Sequence, residues 1–267
     1  MASPAPLIGL LTDFGTSDWY VACLKGVIAA MCPRARIIDL THDIPPQDVT
    51  AGAWNLAAAA PWFPPRTIFA CVIDPGVGTV RPLLAAQADE QIFIGPDNGL
   101  LSLVLARARR RTLIRLTNPA YWLKDVSQTF HGRDIVAPVA AHLARGVRLA
   151  SLGVPVTRYQ PLPLPVLRQT AGCLIGQVVY IDTFGNLITN LPAAALTSSR
   201  RPTVRYHRAP ARMVSSYGDG RSGELIAVAG SLGYVELAIP NASAAARYWA
   251  RRGDRVELLV APPRRRR

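Results

Sequence analysis

The sequence has little lysine, few histidines and no paired cysteine pattern, and each shortage removes a class of function. Lys25 and Lys124 are the only lysines among 30 basic residues, so arginine carries the net charge of +13. The four histidines, His42, His131, His142 and His207, show no H-E-x-x-H spacing, which argues against a zinc protease of that type. No G-x-x-x-x-G-K-[ST] occurs. The GVG of residues 76–78 lacks both the G-x-G-x-x-G pattern and a following helix, so P-loop and dinucleotide sites are disfavoured. The absence of G-x-S-x-G removes the usual elbow of an α/β serine hydrolase. Cys23, Cys32, Cys71 and Cys173 lack C-x-x-C spacing and have apolar neighbours, as expected of buried free thiols in a reducing compartment. The longest uncharged window, Val49 to Pro65, is interrupted by Gly52, Pro61, Pro64 and Pro65 and is too short and broken to cross a bilayer. The opening MASPAPLIGLLTDFG has no basic segment before its short apolar stretch. It reads as a first strand, not a signal peptide, and the expected location is the cytoplasm.

What is present fits a folded chain with a large core, since half the residues are apolar. The arginines cluster in Arg107/Arg109/Arg110/Arg111 and in the terminal Arg264 to Arg267. Neither run is interleaved with aromatics able to stack on bases, so they read as a solvated helix end and a basic tail, and a nucleic-acid partner is not expected. Up to about residue 155, strand-like runs (LIGLLTDF, ARIIDLT, TIFACVID, TLIRLT) alternate with helix-like segments at Trp19 to Met31, Val49 to Ala60, Gly99 to Arg109 and Asp134 to Arg145. This alternation predicts an α/β domain with a largely parallel sheet over residues 1–157. A proline-rich stretch containing PLPLP predicts a stiff linker over 158–168. Beyond it, GQVVYIDTFGNLITNL, TVRYHR, GELIAVAG, GYVELAIP and RVELLVA predict a smaller, mostly-β, barrel-like domain over 169–262, followed by the basic tail 263–267.

Polar clusters close apolar runs in the first domain: Thr12-Asp13-Phe14-Gly15, Thr41-His42-Asp43, Asp74-Pro75-Gly76-Val77-Gly78, Gly95-Pro96-Asp97-Asn98-Gly99 and Phe130-His131-Gly132-Arg133-Asp134. In open α/β sheets ligands bind outside the carboxyl ends of strands, so five such clusters mark a candidate rim. A single acid there would be only a turn former or helix cap. The stretch CVIDPGVGTVRP places Arg81 seven residues after Asp74 across a glycine-rich turn. With His131, these residues form either a set that holds and polarises a water or an ion pair beside a structural histidine. His142, at helical spacing from apolar residues, reads as structural.

The order and wording of LTDFGTSDWYVACLKGVI, IIDLTHDIPPQDVTAGAW, VIDPGVGTVR, GPDNGLLS, FHGRDIVAPVAAHLARG, YIDTFGNLITN and GSLGYVELAIPNASAAARYW resemble the S-adenosyl-L-methionine hydroxide adenosyltransferases, hydrolytic relatives of the fluorinating and chlorinating enzymes. The resemblance covers nearly the whole chain. It implies attack of water on the 5′ carbon of the adenosyl group, releasing adenosine and L-methionine, with no metal and no cofactor. It further implies that Asp74, Arg81 and His131 surround that water and that Asp13 binds the ribose hydroxyls. Asp182, Asn186 and Ser231 fall around the methionine and adenine ends, with Asp182 facing the substrate ammonium. Phe184 and Tyr217 are placed against adenine, and Asn241, Ser243 and Ala244 in a loop whose backbone reads its edge. A homotrimer with sites between the first domain of one subunit and the second domain of its neighbour is also implied. Halide-using relatives differ where this chain has Asp74, His131 and Gly132, which favours water over halide. The alternatives are a halogenase or other nucleophile transferase, and a non-catalytic protein that binds adenosyl ligands.

Overall fold

The computed structural model describes residues 4–170, 172–197 and 202–259, so the basic tail 263–267 lies outside the described residues. The chain divides into two compact units, Met1–Pro163 and Leu164–Arg267.

In the first unit, β1 (Leu7–Thr12), β2 (Arg36–Thr41), β3 (Ile68–Val72), β4 (Leu83–Ala88), β5 (Gln91–Pro96), β6 (Arg111–Leu116) and β7 (Gly153–Val156) form one sheet in the order β2-β1-β3-β5-β4-β6-β7. The pairings β2–β1, β1–β3 and β3–β5 are parallel, and antiparallel pairings to β4, β6 and β7 follow. Five of the seven strands therefore share one direction, as the βα alternation predicts. β3 is buried at every position because helices cover both faces of the sheet. On one face, α1 (Tyr20–Met31) and α4 (Ala137–Ala144) bring Leu24, Ile28, Val139 and Leu143 against Ile8, Leu10, Ala70 and Val72. α2 (Val49–Ala59) and α3 (Ser102–Arg107) pack together. α2 lies close to the strand β3 exit because Gly52 leaves room for Ile73, whose Cδ1 is 2.1 Å from where a Cβ would sit.

Four expectations change. The helix over Gly99 to Arg109 shrinks to α3, since Gly99 has φ +103° and Ala108 is extended. The hairpin of β4 and β5 is absent from the sequence reading because LLAAQA carries alanines that favour helix. Pairing on both edges overrides that local preference. The arginine run is also tied down. The backbone N–H groups of Arg109 and Arg110 donate to Asp89, the Arg107 guanidinium donates to the Ala57 carbonyl and that of Arg111 to the Leu105 carbonyl. Two of the four thiols, Cys32 and Cys71, are buried, whereas Cys23 and Cys173 are only half-buried. All four are free.

In the second unit, β8 (Arg168–Thr170), β9 (Cys173–Ile181), β10 (Leu187–Pro192), β11 (Thr203–Tyr206), β12 (Ala209–Met213), β13 (Ile226–Ala229), β14 (Tyr234–Ala238) and β15 (Arg255–Leu259) run in the order β10-β14-β13-β12-β11-β15-β9-β8. Pairing of β10 with β9 closes seven of them into a barrel around Val178, Leu187, Val204, Tyr206, Leu237 and Val256. α5 (Ala244–Tyr248) is short, because Ser243 caps its start and Trp249 leaves it with φ +51°.

Candidate active site

The parallel order 2-1-3 makes the ends of β1 and β3 a topological switch point, and three of the five polar clusters, those of Asp13, Asp74 and His131, line a cleft there, whereas Thr41-His42-Asp43 and Gly95-Pro96-Asp97-Asn98-Gly99 do not. A cleft of about 550 Å³ is lined by Asp13, Phe14, Gln47, Asp74, Phe130 and His131 among others.

The turn after β3 explains the glycines. Val77 N–H donates to the Asp74 carbonyl at 3.2 Å, and Thr79 closes onto the Gly76 carbonyl through both its N–H and its hydroxyl. Gly78 has φ +78°, and a Cβ there would stand 2.5 Å from the Gln128 carbonyl oxygen. Only glycine lets this turn lie against the 127–131 loop. The chain comes back on itself, and Arg81 Nε donates to Asp74 Oδ1 at 2.9 Å and to Oδ2 at 2.8 Å, with Nη2 also bonded to Oδ2. Both side chains are largely buried, at 13% and 6% exposure. Arg81 Nη2 also lies 2.8 Å from His131 Nδ1. Because guanidinium is donor-only, Nδ1 accepts, which assigns the neutral tautomer to the ring. Burial lowers the His131 pKa from 6.5 and the Arg81 charge lowers it further, against opposing pulls from Asp74, Asp134 and the Ser127 backbone.

His131 stands at the entrance to a π-helical turn, Gly132–Val136. Asp134 within that turn is fully buried. It accepts from Ser127 N–H at 2.8 Å and from Arg133 Nε at 2.6 Å, and so anchors the loop that delivers His131. Burial acts to raise the Asp134 pKa, but the hydrogen bonds from Arg133 and Ser127 outweigh it and hold the group ionised. At the end of β1, Asp13 accepts the Gln47 N–H at 2.7 Å. Burial raises its pKa, the Gln47 bond opposes this, and the Asp74 charge adds to the rise. Phe14, Tyr20 and Phe130 pack edge-on or tilted at 5.2–5.9 Å and form an aromatic wall. The sequence reading placed Phe130 and Asp134 in a rim cluster without giving them a role, and did not single out Tyr20 or Gln47.

The second unit has a cleft of its own, about 640 Å³, lined by Phe184, Asn186, Tyr217, Asn241 and Ser243 among others. Asp182 ties the turn after β9: Oδ1 accepts the N–H groups of Phe184 and Asn186, and Oδ2 accepts Asn186 Nδ2 at 2.9 Å. Phe184 is 77% exposed. Tyr217 donates its hydroxyl to Glu236, a nearly buried acid on β14 that the sequence reading missed. Burial raises the pKa of both groups, and the nearby Asp182 charge adds to the rise. Ala244 is buried in the barrel core. Ser231 sits in the exposed turn between β13 and β14 and does not line this cleft.

The description SAM hydroxide adenosyltransferase N-terminal domain matches residues 8–153, and the corresponding C-terminal domain matches residues 176–257. The chain belongs to the SAM hydroxide adenosyltransferase family. The (R)-S-adenosyl-L-methionine hydrolase of Salinispora tropica is 40% identical to it over 97% of this chain and 99% of that protein. A fluorinase of Nocardia brasiliensis is 28% identical over 96% of this chain and 97% of its own length. Among solved structures, an uncharacterized conserved protein from Thermotoga maritima superposes with a TM-score of 0.87 at 35% identity, covering 94% of this chain and 99% of that one. Every site residue singled out from the sequence falls within the two matched ranges. Asp74, Arg81 and His131 lie in the first, and Asp182 to Ala244 in the second.

Proposed function

We propose that this adenosyltransferase hydrolyses S-adenosyl-L-methionine to adenosine and L-methionine by attack of water on the ribose C5′. The observation that carries the reading is Asp74 and His131 in the same cleft wall as Asp13, joined to each other through Arg81. An oxygen lone pair of water forms the C5′–O bond while the C5′–S pair returns to sulfur, turning a cationic sulfonium into a neutral thioether. The proton released from water passes to Asp74, whose carboxylate lines the cleft. Arg81 balances that carboxylate from behind. His131 Nδ1 is engaged by Arg81, so the ring's part is to fix Arg81 and, through it, Asp74. Alignment of oxygen, carbon and sulfur in a partly desolvated cleft lowers the remaining barrier. In this reading the reaction uses no cofactor and no metal: water and substrate supply every atom, and Asp74 takes the proton.

In this reading Asp13 holds the ribose hydroxyls and Asp182 the ammonium. Phe184 and Tyr217 flank adenine, Asn186, Asn241, Ser243 and the Ala244 backbone read its edge, and Ser231 meets the methionine end. The same reading includes a homotrimer in which the first unit of one subunit completes its site with the second unit of a neighbour. The four free thiols support a reducing, cytoplasmic setting. Among the described residues no helix is long and apolar enough to cross a membrane. A halide would meet the charge of Asp74, so water is the nucleophile even though fluorinases are relatives. The name of the Salinispora tropica hydrolase specifies the (R) form of the substrate, and the same epimer is proposed here. Incubating purified protein with the separate (R) and (S) epimers, with and without chloride, tests this. Adenosine and methionine from the (R) epimer, indifferent to chloride, are expected. A 5′-halogenated nucleoside, or no turnover of either epimer, would overturn it.

A further inference from the structure

The Thr41-His42-Asp43 cluster at the end of β2 takes no part in the reaction described above, yet His42 is 4% exposed and held by two hydrogen bonds, one at Nδ1 and one at its carbonyl, with Asp39 beside Nε2. Its Nδ1 lies 2.8 Å from Thr12 Oγ1, and Thr12 is fully buried. Its Nε2 stands 3.1 Å from Asp39 Oδ1, off the axis of a good hydrogen bond but within ion-pair range, and the other Asp39 oxygen accepts Lys25 Nζ at 2.6 Å. The His42 carbonyl accepts the Gly15 N–H at 2.8 Å. Thr12 Oγ1 in turn accepts the Phe14 N–H at 3.3 Å. A hydroxyl has one donor and two acceptor positions, so Thr12 serves the ring and the Phe14 N–H together.

Asp13 lies between these attachments. The turn Thr12 to Gly15 is held at Phe14 through Thr12 and at Gly15 directly, and both bonds lead to His42. With Thr12 held to the ring before Asp13 and the Phe14 and Gly15 N–H groups held after it, the backbone at Asp13 is fixed, and so is the direction of its Cα–Cβ bond. Here that direction is into the cleft, where Gln47 N–H meets Asp13 Oδ2.

We infer that His42, acting through Thr12 and Gly15 and steadied by Asp39, is a positioning residue that aims the Asp13 carboxylate at the two ribose hydroxyls of the substrate. This rests on the ribose-binding reading of Asp13. Loss of the His42–Thr12 link lets the turn relax and blurs the carboxylate, so recognition of the hydroxyls weakens while the adenine and methionine contacts stay intact.

The test compares binding of adenosine and 2′,3′-dideoxyadenosine to the full chain by calorimetry, in the native protein and in Thr12→Val, Thr12→Ser and Asp39→Asn. The native protein should prefer adenosine by about a hundredfold, as two hydrogen bonds to a carboxylate require. Thr12→Val should cut that preference by about tenfold through adenosine alone, and Thr12→Ser should restore it. Asp39→Asn, at a half-exposed position, should move the preference the same way by about threefold and serves if Thr12→Val does not fold. A native protein that does not distinguish the two nucleosides overturns the ribose reading and this inference with it. A preserved preference in the valine and asparagine variants overturns the inference alone, as does equal weakening of both nucleosides.

Discussion

At the scale of single residues, the account turns on which atom takes the proton. Asp74→Asn keeps the size of the side chain and one acceptor while removing the charge. Turnover should fall by about 10²- to 10⁴-fold with adenosine affinity changed little, measured by steady-state kinetics and calorimetry. His131 offers a pH test. Its pKa is lowered below 6.5 by burial and by the Arg81 charge, so the folded state favours the neutral ring. The stability this group contributes is complete above the unfolded value and is lost as pH falls through the folded one. Titration of the ring by NMR should give a midpoint below 6.5, moving upward in Arg81→Gln; a midpoint above 6.5 would contradict the assigned tautomer. Asp74, Arg81 and His131 were legible in sequence because a glycine-rich turn and a polar helix start surround them. Gln47 was not, because its contribution is a backbone N–H, and Glu236 was not, because an acid inside VELAIP looks like a solvent-facing strand position.

At the scale of elements, the turn after β3 and the loop before the π-helical turn act as one unit, joined where Gly78 meets the Gln128 carbonyl. In Gly78→Ala the left-handed backbone alone costs about 1–2 kcal/mol, and the methyl forces the two loops apart. The melting temperature should drop by a few degrees, roughly 2–4 °C per kcal/mol, and turnover should fall with it. Unchanged turnover would show that the loops need not touch. The parallel strands β1, β2 and β3 were readable from their apolar runs and intervening helices, whereas β5, parallel to β3, was not. Strand β4 and the barrel strand β12, APARM, were not, since alanine and proline carry no strand signal and their pairing partners are distant in sequence.

At the scale of the whole molecule, part of the +13 charge serves structure: the Arg107 and Arg111 guanidinium groups hold backbone carbonyls, while only the backbone N–H groups of Arg109 and Arg110 fasten the β4–β5 turn. The barrel class was legible from short strands and turns, but its closure was not. The bond between β9 and β10 that seals seven strands depends on a tight turn held by Asp182, whose carboxylate accepts three N–H groups. The central claim, that water attacks C5′, is tested most directly by turnover in oxygen-18 water with mass spectrometry of both products. The account predicts one labelled oxygen in the adenosine 5′-hydroxyl and none in methionine. Unlabelled adenosine, or label appearing in methionine, would contradict it.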